Sequence, residues 1–334
     1  MDKACKIICI VAAAALGVGI VFAGIGYFFG GANVIALEKP GFKVIDKDDK
    51  NEMDIIDETY TDVKNIKVDV SYFNKVILRE GDSFSVKGKN PKHLGGLQAN
   101  LSAGTLAVTD AKRGKDSIFN FGFITPFGIN TFGRFDQEDL IITYPSGSTL
   151  GAIELNIDTA KLEVSKLTAD RIEATLNLGD TSIGDITCKT LIINTDTGDV
   201  SINNVKCDSI TMDLDLGKCE IDGIVTEKAI LKSDTGDIDI TDIESNGSEI
   251  DCNLGDLTVK GKLLGKSTIK MDTGTINLDL RQSRDETSYF IETDLGSVNV
   301  NGNKSSGSVE NRIPGAANTL NINSDLGDVK VSFN

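Results

Sequence analysis

The chain has 334 residues, a formal net charge of −16 and a single histidine. An acidic surface of this kind repels nucleic acid and anionic lipid headgroups, so we expect no nucleic-acid partner. Aromatic residues make up only 6% of the chain, which contains 34 glycines and no tryptophan. This composition favours a repetitive β-architecture over a catalytic cleft.

The N-terminal residues predict a membrane anchor. Residues 7–29 carry no charge, and a helix rising roughly 1.5 Å per residue would be about 34 Å long there, enough to cross a bilayer. Lys3 and Lys6 precede this run, which places residues 1–6 in the cytoplasm and the bulk of the chain outside. The alternative is a signal peptide cleaved after Ala23.

Two segments lie between the anchor and the regular repeats. Residues 30–57 are polar and irregular, as in a tether. Residues 58–154 predict N-terminal β coils, because apolar residues such as Ile66, Val68 and Val70 alternate with polar ones. A phenylalanine-rich insertion, residues 118–135, either caps the first coils or forms an exposed contact lobe. The phenylalanines concerned are Phe119, Phe121, Phe123, Phe127 and Phe132.

Residues 155–334 repeat with a period of nineteen, which is typical of a solenoid. Ala160 starts the series, and Gly296 and Gly327 continue it after insertions. The turn glycines at the exact period are Gly179, Gly198, Gly217, Gly236, Gly255 and Gly274.

Apolar residues recur two and four positions after each glycine, with polar residues between them, as in a strand with one buried face. A second short strand follows in each coil, for example at Ile172, Ala174 and Leu176. The sequence therefore predicts an all-β fold. It is a β-solenoid or β-roll whose coils have two strands and two corners and stack about 4.8 Å apart.

Each corner has its own residue pattern. Glycine supplies a backbone conformation that other residues disfavour, and the Asp or Asn two positions earlier can hydrogen-bond the turn's own backbone. The residue just before the glycine alternates between Thr and Leu along the repeats. This alternation of small and large side chains would let neighbouring coils interdigitate.

Three stretches resemble a known family. They are NIKVDVSYFNKVILREGD at 65–82, LIITYPSGSTL at 140–150 and the DTGD/NLGD coils at 158–275. The chain resembles the bacterial membrane-anchored putative-adhesin domain family of unknown function. The resemblance implies a β-solenoid at the cell surface with a role in adhesion or envelope stress, and it supplies no catalytic residues.

The residues also argue against an enzyme. His93 is the only histidine, which excludes most histidine acid–base schemes and Cys/His zinc sites. The stretch YPSGS at 144–148 is not a GxSxG nucleophile elbow. We therefore expect no enzymatic activity and no cofactor, with calcium as the one ion to consider.

The calcium hypothesis rests on carboxylates at the corners, because calcium prefers oxygen ligands. The alternative is that these residues serve only as structural turns. The candidates are Asp180, Asp196, Asp199, Asp234, Asp237 and Asp256.

The cysteines of the repeats fall into two groups. Cys188 and Cys207 each lie nine residues after a turn glycine, so they should be neighbours in adjacent coils, within reach of a disulfide. The alternative is a pair of free, packed thiols. Cys219 and Cys252 occupy inward positions and act as small apolar residues.

These observations predict a non-enzymatic extracellular binding module, adhesin-like or an envelope scaffold, in a single-pass protein of the bacterial cell membrane. Its partners would be the membrane, through residues 7–29, and a protein or cell-wall polymer. The alternative is a membrane-proximal regulatory component of an envelope-stress response that acts on another membrane protein.

Overall fold

The computed structural model describes residues 34–38, 41–45, 53–92, 96–110, 117–121 and 138–334. Within these ranges, no helix is both long enough and apolar enough to cross a bilayer. The predicted anchor at 7–29 and the sole histidine, His93, lie outside the described residues.

The described residues are almost entirely strand, with one short 3-10 helix at Arg284–Glu286. The strands are β1 (Val34–Glu38), β2 (Gly41–Ile45), β3 (Met53–Tyr60), β4 (Asn65–Gly81), β5 (Phe84–Pro91), β6 (Gln98–Ser102), β7 (Thr105–Thr109), β8 (Ser117–Phe121), β9 (Leu140–Pro145), β10 (Thr149–Leu178), β11 (Thr181–Thr197), β12 (Val200–Leu216), β13 (Cys219–Thr235), β14 (Ile238–Leu254), β15 (Leu257–Thr273), β16 (Ile276–Leu280), β17 (Thr287–Val300), β18 (Asn303–Asn311), β19 (Asn318–Leu326) and β20 (Val329–Phe333).

The chain divides into two compact units. The first comprises residues 1–55, 89–98 and 110–137, and the second comprises residues 56–88, 99–109 and 138–334. In the first unit, β1 pairs antiparallel with β2 and with β8. Two strands and the start of β3 therefore fall within residues 30–57, which the sequence suggested to be irregular. The short apolar runs in VIALE and GFKVI explain the difference, because runs of this length rich in β-branched and aromatic residues support short strands.

The second unit contains the predicted stack of parallel coils. Strands β11 to β15 are each 17 residues long, and β11 pairs with β12 so that Thr181 faces Val200 and Thr197 faces Leu216. This offset of nineteen confirms the period read from the sequence. Side chains two and four positions after the glycines, such as Val200 and Ile202, are buried inside the stack. The all-β solenoid-like fold is therefore confirmed.

The stack begins before the regular repeats. Strand β4 pairs in parallel with β10, while β7 and β9 pair in parallel with β4. Tyr144, at the end of β9, is buried and donates its hydroxyl to the Ser165 carbonyl at 2.5 Å. Burial raises the pKa of Tyr144 above its ordinary value. This hydrogen bond connects β9, in the first layers, to β10, where the repeats begin.

The C-terminal coils do not stack in chain order. Gly274 N–H donates to the Leu326 carbonyl and Gly327 N–H donates to the Leu295 carbonyl, both at 3.0 Å. Strand β19 pairs with β15 on one side and with β17 on the other. The last strands of the chain are thus inserted between β15–β16 and β17. Gly296 and Gly327 do continue the glycine series, but in the stack Gly327 lies next to Gly274, and Gly296 lies one layer further.

A hairpin explains this order. Strand β17 ends at Val300, and Asn301 and Gly302 have φ of 49° and 85°, as in the tight turns that join antiparallel strands. Strand β18 then pairs antiparallel with β17 and covers its free edge with polar, largely exposed residues. The chain returns from there to the open layer beside β15.

Candidate functional site

The glycine corners form one continuous column along the stack. From Gly179 to Gly274, and at Gly327, the corner glycines have φ between 143° and 148°, which L-residues disfavour. A Cβ atom at each would overlap the carbonyl oxygen of the corner residue in the adjacent coil. Glycine is therefore required both by the backbone conformation and by the close approach of the coils.

The aspartates directly after the glycines hydrogen-bond between coils. Asp199 accepts from the backbone N–H of Lys218 at 2.8 Å, and Asp237 accepts from that of Asp256 at 2.9 Å. Asp328 accepts from both the backbone N–H and the hydroxyl of Ser297, at 2.8 and 2.9 Å. We predicted that the residue two positions before the glycine would bond the turn's backbone. The structure instead gives a backbone-capping role to the residue after the glycine.

Hydrogen bonds stabilise two of these carboxylates in the ionised form. Lys161 donates to Asp180 at 2.8 Å, and this bond, together with one from the Asp199 backbone, lowers the pKa of Asp180 below its ordinary value. The two bonds from Ser297 likewise lower the pKa of Asp328. Both carboxylates therefore stay negatively charged near neutral pH.

The carboxylates two positions before the glycines form a second column. Asp196 and Asp234 are exposed, and Asn253 donates to Asp234 at 3.0 Å. Among the residues that the structure describes, no three His, Cys, Asp or Glu side chains are grouped so that they could hold a metal ion. Calcium binding at the corners stays a prediction.

Between the two acidic columns lies a row of exposed leucines, here called the leucine ridge. Leu216 is 51% exposed and Leu295 is 68% exposed. Thr197, Thr235 and Thr273 take the equivalent place in alternate coils. In stacking order the ridge consists of Leu178, Leu216, Leu254, Leu326 and Leu295.

The ridge corrects our interpretation of the Thr/Leu alternation. We expected the two side chains to interdigitate between coils, but the corner turns the leucine outward, next to an exposed Asp or Asn. Large apolar residues that recur at one exposed position along a surface, here with a threonine between most of them, point to an interaction site. The ridge is therefore the candidate functional site.

The cysteines lie where the sequence placed them. Cys188 and Cys207 face each other in adjacent coils and are buried and free, so their disulfide stays a prediction. A hydrogen bond to Cys207 and burial raise the pKa of Cys188. Cys219 and Cys252 are buried inside the stack, and burial raises the pKa of each to about 12. Thiols of this kind are unreactive.

The structure describes only part of the phenylalanine-rich insertion. Phe119 and Phe121 belong to β8, in the first unit. Phe123, Phe127 and Phe132 lie outside the described residues. The choice between a cap and a contact lobe stays open.

The sequence predicted a second corner in each coil but not its place, which is six residues after the glycine in the coils that begin at Gly179, Gly198, Gly217 and Gly236. Asp185, Asn204 and Asp242 have φ between 51° and 58° there, and Gly223 has φ of 77°. Asn204 donates its side-chain amide to Asp185 at 2.6 Å. The recurrence of Asp, Asn and Gly at this position is the signal that could have found it, because these residues tolerate a left-handed conformation.

Comparison with known proteins decides the family. The model of the Toastrack DUF4097 family matches residues 63–332, which is most of the chain. The chain belongs to the Toastrack DUF4097 family. No curated protein matches it significantly.

Several solved structures are similar to this Toastrack DUF4097 chain. One is a putative adhesin from Bacteroides fragilis, 15% identical, covering 84% of this chain and 97% of that chain with a TM-score of 0.41. A putative adhesin from Parabacteroides distasonis is 12% identical, with coverage of 85% and 97% and a TM-score of 0.38. A putative lipid binding protein from Parabacteroides distasonis is 11% identical, with coverage of 83% and 97% and a TM-score of 0.45.

Proposed function

We propose that the protein is a non-enzymatic binding module, adhesin-like or an envelope scaffold, held at the outer face of a bacterial membrane by residues 7–29. The leucine ridge carries this proposal. It places exposed apolar side chains in alternate coils from Leu178 to Leu326 and in the adjacent coil of Leu295. Such a row lowers solubility unless a partner covers it. A protein or a cell-wall polymer would lie along the stack and contact several coils at once.

The membrane anchor is supported by the uncharged run at 7–29 and by the lysines before it. Protease treatment of intact cells tests this part separately. The proposal expects release of a large fragment containing the repeats, with residues 1–6 protected until the cells are broken. Repeats that resist the protease until lysis would contradict an extracellular location.

In-cell photocrosslinking tests the binding function. A photoreactive residue replaces Leu216 on the ridge, and a control replaces Val225, which is 49% exposed but lies elsewhere on the coil. We expect Leu216 to capture a partner that Val225 does not. Wall polymer or foreign surface molecules would support the adhesin-like function, and one native membrane protein would support the regulatory alternative. Equal capture from both positions would contradict a ridge-specific function.

A further inference from the structure

The chemistry of the ridge points to one kind of partner. We infer that the leucine ridge, with the acidic columns beside it, docks a cationic amphipathic α-helix of a partner protein. This inference rests on the proposed binding function and specifies its ligand. It follows from the charge beside the leucines, from the spacing of the leucines and from the length of the row.

Charge complementarity selects the partner. Each ridge leucine comes directly after an Asp or Asn, and in three coils the residue after the glycine is also an aspartate: Asp180, Asp256 and Asp328. Asp180 already forms an ion pair with Lys161 at 2.8 Å, so the negative charge on this flank comes mainly from Asp256 and Asp328. Lys218 follows Leu216, but its ammonium pairs with Glu220 and Asp239 at 2.7 and 2.9 Å. A partner that covers the leucines must therefore supply positive charge along both flanks.

The same charges exclude three other occupants. A second copy docked ridge to ridge would bring carboxylate columns against each other. The carboxylates would repel the headgroups of an anionic lipid surface and so oppose insertion of the leucines. The carboxylates would repel the phosphates of a nucleic acid. A partner helix with an apolar stripe can pack against the leucines, and basic residues on both sides of that stripe can pair with the carboxylates.

The spacing of the leucines suits a helix. Consecutive leucines from Leu178 to Leu326 are two coils apart, or about 9.6 Å. Residues seven apart lie on one face of an α-helix and rise about 10.5 Å, so apolar residues of a heptad pattern meet successive leucines with a small offset. The whole ridge, to Leu295, is about 34 Å long, which corresponds to roughly 22 helical residues.

Fluorescence anisotropy with a designed probe tests the inference. The probe is a labelled three-heptad peptide with Leu on one face and Lys on the flanks, and the full-length protein is held in neutral phosphatidylcholine nanodiscs. Empty nanodiscs correct for peptide that binds lipid. Two control peptides carry Glu in place of Lys, or the same residues in scrambled order.

The chain offers its own matched variants. Leu216→Thr with Leu254→Thr introduces the residue that Thr197 and Thr235 already provide at this place, so folding should be preserved. Val225→Thr removes an equally exposed apolar side chain away from the ridge. Far-ultraviolet circular dichroism and the melting temperature verify that each variant is folded.

We expect the basic amphipathic peptide to bind, with affinity that falls as salt rises. The double Leu→Thr variant should bind it about tenfold more weakly, and Val225→Thr should bind as wild type does. Equal binding by wild type and the double variant, equal binding of the scrambled or acidic peptide, or no binding would overturn the inference. If Leu216 still captures a partner in cells, the proposed function stands and only the helical, cationic nature of that partner is wrong.

Discussion

At the scale of single residues, the corner glycines combine an unfavourable φ with contact between coils. Gly217 has φ of 148°, and a Cβ there would overlap the Gly198 carbonyl. We expect Gly217→Ala to lower the free energy of unfolding by about 3 kcal/mol or more, from backbone strain and overpacking together. Denaturant unfolding measures the change.

Gly147 provides the matched control. Its φ is 76°, but a Cβ there would contact nothing within 4 Å. Gly147→Ala should therefore cost only the backbone strain, about 1 kcal/mol. Similar decreases in the free energy of unfolding at the two glycines would show that overlap with the adjacent coil does not contribute to the cost at Gly217.

The carboxylates of Asp180 and Asp328 should titrate below the ordinary Asp pKa of about 3.9. Because folding lowers each pKa, each group stabilises the fold above its unfolded pKa. That stabilisation is lost as the pH falls through the folded value. Carboxyl carbon chemical shifts followed against pH measure both titrations. Ser297→Ala removes one donor and should raise the pKa of Asp328, and an unchanged titration would contradict the assigned hydrogen bonds.

Calcium sites at the corners make a separate prediction about the candidate aspartates named from the sequence. Bound calcium would bridge neighbouring aspartates, such as Asp237 and Asp256, and stabilise the folded protein by mass action. The melting temperature should then rise by several degrees in millimolar calcium but not in magnesium. If calcium does not change the melting temperature, these residues serve only as structural turns.

At the scale of elements, the insertion of β19 and β20 makes a prediction about neighbours. Thr273 and Leu326 are paired in adjacent layers, whereas Leu295 lies one layer further, about 9.6 Å from Thr273. Thr273→Cys with Leu326→Cys should therefore oxidise to a disulfide, and Thr273→Cys with Leu295→Cys should not, because that distance exceeds the reach of the bond. Mass spectrometry of the linked peptides identifies the pair. Efficient linkage of the second pair would contradict the stacking order.

The same elements show how far the sequence could predict the fold. The period of nineteen and the alternating buried positions are local patterns, so the coils and their register were predictable. The order of the last layers was not, because the glycine spacing does not tell which strand occupies a layer. The Asn301–Gly302 hairpin was a readable signal, but the return of β19 to β15 depends on contacts distant in sequence.

The candidate site was predictable only in part. The glycines and the aspartates of the corner were visible, and so was the Thr/Leu alternation. The exposure of the leucines was not, because strand alternation normally makes an apolar residue after a polar one an inward residue. At Leu216 the glycine corner breaks that alternation, so Asp215 and Leu216 both point to solvent.

At the scale of the whole molecule, the leucine ridge turns a repeated corner into a surface about 34 Å long. Residues far apart in sequence, such as Leu178 and Leu326, belong to one row because each coil adds one position to it. A partner bound there should contact alternate coils from Leu178 to Leu326. It should pass from Leu254 over Thr273 to Leu326 and then reach Leu295.

A photocrosslinking scan in cells tests this account most directly. Photoreactive residues would replace Leu178, Leu216, Leu254 and Leu326 in turn, with Val225 as the position off the ridge. We predict that all four ridge positions capture the same partner and that Val225 does not. Capture of that partner from Val225 as readily as from the leucines, or no capture from the ridge, would contradict the account.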